Sequence, residues 1–300
     1  MIIIIAALGY FVDIYDLILF SIVRVKSLQS LGFSGESLLS NGVFLLNMQM
    51  TGMLIGGICW GILGDKRGRL SVLLGSIFLY SAANIANAFV DSLPMYACLR
   101  FIAGVGLAGE LGAGITLVCE SMPKDKRAWG TTIVATVGVL GAVVAALVGD
   151  FFDWRTAYIV GGVMGLLLLF LRINIRESLM FAHVQQSGVA RGSFVDLFKS
   201  MKNFSKYARC ILTGVPLWVV VGILITFAPE FGRALGMPIL PSAAKAVMFT
   251  YIGLAAGDLV SGGLSQLVKS RKKVAAGFMA LNAFFMALYL FHSSSSLGLF

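Results

Sequence analysis

Long apolar blocks separated by short polar stretches organise this chain. About nine such runs can be drawn, at 1–23, 41–63, 70–89, 94–119, 129–148, 154–171, 210–228, 242–268 and 274–291. Each is close to the roughly 20 residues that a helix needs to cross a bilayer. Their interiors are Leu, Ile, Val, Ala, Phe and Gly, without the strand-length alternation of an outer-membrane barrel. In lipid only helices and closed barrels satisfy every backbone hydrogen bond. The pattern therefore predicts an all-α integral membrane protein in two unequal parts. Six runs fill 1–171, a polar, basic stretch at 172–207 reads as a linker, and three runs with the start of a tenth fill 208–300.

Composition agrees, with 58% hydrophobic and only 12% charged residues and a mean hydropathy of +0.92. A net charge of +9 could suggest nucleic acid. Its distribution excludes that partner: most of the 23 basic residues lie on one side of the runs, around Lys66–Arg69, Lys124–Arg127, 172–209 and Lys269–Lys273. An excess of Lys and Arg marks the cytoplasmic side. The expected location is the cell (inner, cytoplasmic) membrane, crossed several times. The first run has no basic leader or small-residue cleavage pattern and reads as a true first span entering from the cytoplasm. Cys59, Cys98, Cys119 and Cys210 lack metal-ligand spacing and read as small buried apolar residues. No metal or cofactor is expected. No serine–histidine, paired-aspartate or metal-ligand constellation stands at a depth suited to an intramembrane enzyme.

The segment 61–69, Gly-Ile-Leu-Gly-Asp-Lys-Arg-Gly-Arg, joins the second and third runs and reads as a tight turn on the membrane face. A diluted copy follows the eighth run, where Gly262, Gln266, Arg271, Val274 and Gly277 echo Gly61, Asp65, Arg69, Val72 and Gly75. Parallel repeats of a multi-span unit are common in secondary transporters.

The 61–69 segment resembles the signature between helices two and three of the major facilitator superfamily, G-x-L-x-D-x-x-G-R. Three further stretches are similar to that superfamily's patterns in order and spacing. They are Arg100–Gly109 in the fourth run, Glu120–Arg127 at its end, and Arg176-Glu177-Ser178 after the sixth. Asp13-Ile-Tyr-Asp16 and Gly109-Glu110-Leu-Gly112 look most like the metabolite:proton symporters, with parts shared by sugar porters. The resemblance implies a six-helix N-terminal bundle and a second bundle of which helices ten to twelve are missing here. Gln266 stands where that family often has an acid.

Ionisable residues inside spans are costly and usually face a cavity or a partner. Five qualify: Asp13, Asp16, Arg100, Glu110 and Asp258. Asp13 and Asp16 share a helical face. Asp16 lies about 10 Å from the outer end of its span and Arg100 about 9 Å from the outer start of the fourth, at 1.5 Å per residue. Matched depths are compatible with an Asp16–Arg100 pair. Burial favours a neutral carboxyl and a neighbouring guanidinium favours an ionised one, so separation and reunion of such a pair would take up and release a proton. The resemblance implies the same coupling; a static pair that only fixes helix packing is the alternative. Glu110, about 15 Å deeper along the fourth span, reads as a second proton site, a substrate contact or a carboxyl bonded to nearby backbone. Arg100, Tyr15, Asn47, Trp218 and Asp258 are candidate substrate contacts. Packing is the competing reading for the aromatic and amide residues.

On the cytoplasmic side Gly61, Asp65, Gly68, Arg69, Glu120, Arg127 and Glu177 are expected to form a gate, Asp65 latching a helix start. A solvated charge cluster is the alternative. Small-residue pairs such as Gly52/Gly56, Gly57/Gly61, Gly161/Gly165 and Gly253/Gly257 read as close helix contacts. Together these features predict a proton-coupled symporter of a small organic acid or zwitterion, monomeric, with substrate, protons and the bilayer as partners. A sugar:proton symporter, and a transporter-like receptor or non-transporting fragment, are the alternatives.

Overall fold

The computed structural model describes residues 2–123, 127–173, 192–193, 196–237 and 240–292. Among these it contains helices and no strand. The helices are α1 (Ile2–Ser30), α2 (Glu36–Arg67), α3 (Arg69–Asn87), α4 (Leu93–Leu107), α5 (Glu110–Ser121), α6 (Arg127–Phe151), α7 (Trp154–Arg172), the single turn α8 (Asp196–Lys199), α9 (Met201–Val219), α10 (Ala228–Ala234), α11 (Ala243–Leu267) and α12 (Arg271–His292). Eight stretches of the described residues are long and apolar enough to cross a membrane. They match the first eight predicted runs, and α12 occupies the ninth. The chain divides into two compact units, Met1–Phe194 and Val195–Phe300. That division falls inside the stretch read as a linker, whose C-terminal part is already helical from Met201.

In the first unit α1 lies along α6 and also touches α7 and α5, while α2 lies along α4 and α3 packs on α7 and α4. Large apolar side chains such as Leu54, Phe78, Phe151 and Phe170 point outward, and Asp13, Asp16, Gln49, Asn84, Asn87, Arg100, Glu110 and Arg172 are buried. Lipid is as apolar as Leu, so nothing drives apolar side chains inward, and packing and polar contacts hold the helices together. Cys59, Cys98 and Cys210 follow the outward rule. They are exposed on the bundle surface, not buried as their sequence context suggested.

Close approach is supplied by glycine. A Cβ on Gly52 or Gly56 would strike the α4 backbone at Phe101 and Val105, and one on Gly104 would strike Gln49 of α2. Gly141 of α6 meets the Phe11 carbonyl of α1 in the same way. The pairs Gly57/Gly61 and Gly253/Gly257 have nothing within 4 Å to pack against.

Two elements differ from the sequence reading. The turn expected at 61–69 is shorter than drawn: α2 continues to Arg67, and Gly68 alone turns the chain, at φ 102°. Backbone groups at a membrane face keep their helical bonds where they can, and only glycine reaches this φ without strain. The fourth span is interrupted at Ala108–Gly109, between α4 and α5. In the second unit, Pro216 lies inside α9 and a π-helical stretch, Val220–Ile225, follows it. Proline removes a backbone donor and crowds the preceding turn, and wide turns of this kind accommodate such defects.

Candidate functional site

Buried ionisable residues of the first unit form two clusters along α1, one around Asp16 and the other around Gly9, while Arg24 is buried further along α1 against Gly42 of α2. Seven residues separate these positions, about 10 Å along the helix. By the charge topology above, the Gly9 cluster is nearer the cytoplasm.

The outer cluster joins α1, α2, α3, α4 and α7. Asp16 is fully buried, and neither of its carboxyl oxygens has a hydrogen-bond partner in the protein. Asn84 of α3 lies beside it, and Arg100 of α4 is within electrostatic reach. No direct ion pair joins them. Arg100, also fully buried, donates from Nη2 to Gln49 Oε1 of α2, and its Nε and Nη1 have no partner. Its guanidinium carbon sits 4.8 Å from the Phe20 ring centre and 5.8 Å from that of Tyr158. An aromatic wall completes the surroundings: Tyr96 and Tyr158 share a 2.8 Å hydroxyl contact, and Tyr96 donates to Ser27. Gly161 of α7 leaves room for the Asp16 carboxyl, since a Cβ there would collide with Asp16 Oδ1. A buried acid and a buried base, each with open valences and fixed by different helices, can bind an ionic ligand or exchange a proton.

The inner cluster is closed. Glu110, the first residue of α5, forms an ion pair through Oε1 with Arg172 Nη1 at the end of α7, and both side chains are almost wholly buried. Arg172 Nη2 also donates 3.1 Å to the Ile5 carbonyl of α1. Gly9 makes this meeting feasible, because a Cβ there would fall on the guanidinium and the carboxylate. Asp13, one turn below Asp16, interacts electrostatically with Glu110, Arg172 and Asp16, with Tyr80 of α3 beside it.

The structure thus brings Asp13, Asp16, Arg100 and Glu110 into one unit. Tyr15 adjoins them, but its hydroxyl is committed to the Ala157 carbonyl at 2.9 Å. Asn47 is exposed, and the buried amide of α2 is Gln49, two positions on. Trp218, half exposed, and Asp258, partly buried, belong to the second unit. Asp258 lines a cavity of about 660 Å³ between α9, α11 and α12, with Ser261, Arg271 and Asn282.

Arg172 is the functional residue that the sequence reading missed. It stands one place beyond the predicted end of the sixth run and was counted with the cytoplasmic cations. Its signal was the unpartnered Glu110 in a neighbouring span. The Tyr96–Tyr158 pair gave no comparable sign.

At the cytoplasmic end, Arg69 bridges Asp65 at 2.8 Å and Glu120 at 3.6 Å, linking the α2–α3 turn to α5. Arg127 donates from Nε to the Met122 carbonyl at 2.9 Å. Gly64 is buried at this turn and accepts the Gly68 N–H, whereas Gly61 is exposed with no neighbour. Glu177, with Arg176 and Ser178, lies outside the described residues.

Comparison with known proteins shows which family the chain matches. The family model described as Major Facilitator Superfamily matches residues 5–300. A "Putative metabolite transport protein" of Haemophilus influenzae is 30% identical over 279 residues, 88% of this chain and 66% of that protein. The "Niacin transporter NiaP" of Acinetobacter baylyi is 29% identical over 178 residues, covering 58% of this chain and 38% of the relative. The "Sialic acid transporter NanX" of Escherichia coli is 23% identical over 256 residues, 82% of this chain and 61% of the relative. The chain spans about two thirds or less of the length of these curated relatives. Among solved structures, a D-xylose-proton symporter matches with a TM-score of 0.61 at 20% identity, over 89% of this chain and 67% of that one.

Proposed function

The chain belongs to the major facilitator superfamily, a multi-pass membrane protein with that superfamily's fold, and on that premise we propose that it acts in proton-coupled symport of a small organic acid or zwitterion. One observation carries the reading: a fully buried Asp16, with no cation in contact and only the Asn84 amide beside it, stands within the field of a fully buried Arg100 whose Nε and Nη1 lie unbonded against the Phe20 and Tyr158 rings. Burying an unpaired charge is expensive, and such sites persist where the charge is used. A carboxylate substrate would satisfy the open guanidinium donors in a bidentate manner, with Phe20 and Tyr158 as apolar and cation–π neighbours. Relatives named for niacin and sialic acid, both carboxylic acids, support that substrate class.

The proton reading follows from exclusion of charge. With a substrate anion on Arg100, Asp16 loses the cation that favours its ionised form, and it takes up a proton from the outer side. Release of the substrate restores the pair's field and expels the proton. Each ligand thereby biases the states that bind it best. At the cytoplasmic end the Arg69 bridges to Asp65 and Glu120 act as the gate.

Uptake by the purified protein in liposomes, over a panel of radiolabelled organic acids, betaines and sugars with and without an inward proton gradient, tests the reading. Asp16→Asn should abolish gradient-driven accumulation and spare substrate exchange. Undiminished accumulation by that variant would remove the coupling role. Gradient-driven uptake of sugars alone would replace the substrate class.

A further inference from the structure

We propose that Asp13, Glu110 and Arg172 form an inner proton-holding station in which two carboxyls share one guanidinium, with Arg172 as the positioning residue. The proposal rests on the transporter reading above and assigns Arg172 a role which that reading does not use.

Three observations carry it. First, Glu110 and Arg172 come from different helices and meet directly with both side chains almost wholly buried. Second, Asp13 is buried with no cation in contact and only the Tyr80 hydroxyl beside its carboxyl, and it interacts electrostatically with both members of the pair. Third, the surroundings are shaped to the pair. Gly9 vacates the volume that the pair occupies, and the Ile5 carbonyl accepts from Arg172 Nη2.

The charge count follows. The groups facing this cluster are Asp13 and Asp16 from α1, Tyr80 and Ser76 from α3, Glu110 from α5 and Arg172 from α7. Between Arg127 and Asp150, α6 has no ionisable side chain. Asp16 faces Arg100. Two acids therefore remain for one base, and like charges in so dry a site cannot both be ionised cheaply. The cluster is neutral when it holds one proton, shared between Asp13 and Glu110. With the proton on Asp13, Arg172 is wholly engaged by Glu110. With the proton on Glu110, the ion pair loses its attraction and Arg172 turns to Asp13. Only O–H bonds form and break, and the proton is the sole species exchanged. Because Arg172 also holds the Ile5 carbonyl, the proton's position decides how firmly the start of α1 is tied to the end of α7. Asp13, one turn from Asp16, connects this station with the outer acid.

The test is pH-dependent infrared difference spectroscopy of the protein in lipid nanodiscs, read at the protonated-carboxyl band. An Asp16→Asn background removes the outer acid's contribution. The band should be lost on adding either Asp13→Asn or Glu110→Gln, since each leaves one acid for one base. It should grow about twofold in Arg172→Gln and return to its starting height in Arg172→Lys. A band indifferent to both acid substitutions would overturn the proposal, as would an Arg172→Gln protein whose thermal stability falls while its band is unchanged. If Arg172→Gln does not fold, Arg172→Lys and the two acid variants decide alone. The coupling reading fails separately: its failure shows as unimpaired gradient-driven uptake by Asp16→Asn, which leaves the infrared result standing.

Discussion

Two acid–base couples lie within the same bundle, about two helical turns apart, and they are built differently. In the inner couple Glu110 and Arg172 touch. In the outer one Asp16 and Arg100 share a field without touching, and Arg100 spends its bond on Gln49. Composition does not separate them, since each is a carboxylic acid and an arginine on different spans. The neighbours do. Gly9 removes the atoms that would keep the inner pair apart, while Gln49 diverts the outer guanidinium. The touching pair suits the proposed holding of a proton, and the open one, with two guanidinium nitrogens unbonded, suits the binding of an anion.

Five substitutions break or sharpen this contrast. The largest effect is expected for Arg172→Ala, which breaks the buried ion pair with Glu110. It should cost about 3–5 kcal/mol, read as a lowered unfolding temperature in detergent, and Arg100→Ala should cost less because no ion pair is broken. Next comes Gly161→Ala. Its Cβ would collide with Asp16 Oδ1 and approach Tyr15; we expect a loss of about 1–3 kcal/mol together with altered gradient-driven uptake. Gln49→Leu should cost about 1–2 kcal/mol for the lost bond and free Arg100 to close on Asp16. Converting the open couple into a closed one should weaken substrate binding, measured by calorimetry. The smallest is Asp65→Ala at the half-exposed cytoplasmic bridge, within about 1 kcal/mol. It should nonetheless change the labelling of cysteines introduced in the cytoplasmic cavity, and identical labelling would remove the gate assignment.

The fold was legible in the sequence because lipid imposes a simple rule: a run of about 20 apolar residues is a helix. The buried acids were legible for a related reason, since Asp13, Asp16 and Glu110 stand out against an apolar background. Helical phase was harder. On α2 the choice fell on Asn47, yet Gln49 is the residue turned inward, and nothing in a uniformly apolar span marks which face meets protein and which meets lipid. Arg172 was lost at a boundary, because a basic residue at the end of a run looks like an anchor at the membrane surface. The charges and glycines of 61–69 mark a tight turn but not its length, since only Gly68 has a backbone that breaks the helix.

The glycine contacts between α2 and α4 have a mechanical meaning. Backbone meets backbone at Gly52, Gly56 and Gly104, so at those positions no compliant side chain separates the two helices. Such a pair resists relative sliding and serves as a single beam. Arg100 and Gln49 are both mounted on it, so their bond keeps its length however the bundle rocks. Movement that opens or closes the outer couple must then be supplied by α1 or α7, with the beam as the fixed frame against which their travel is measured.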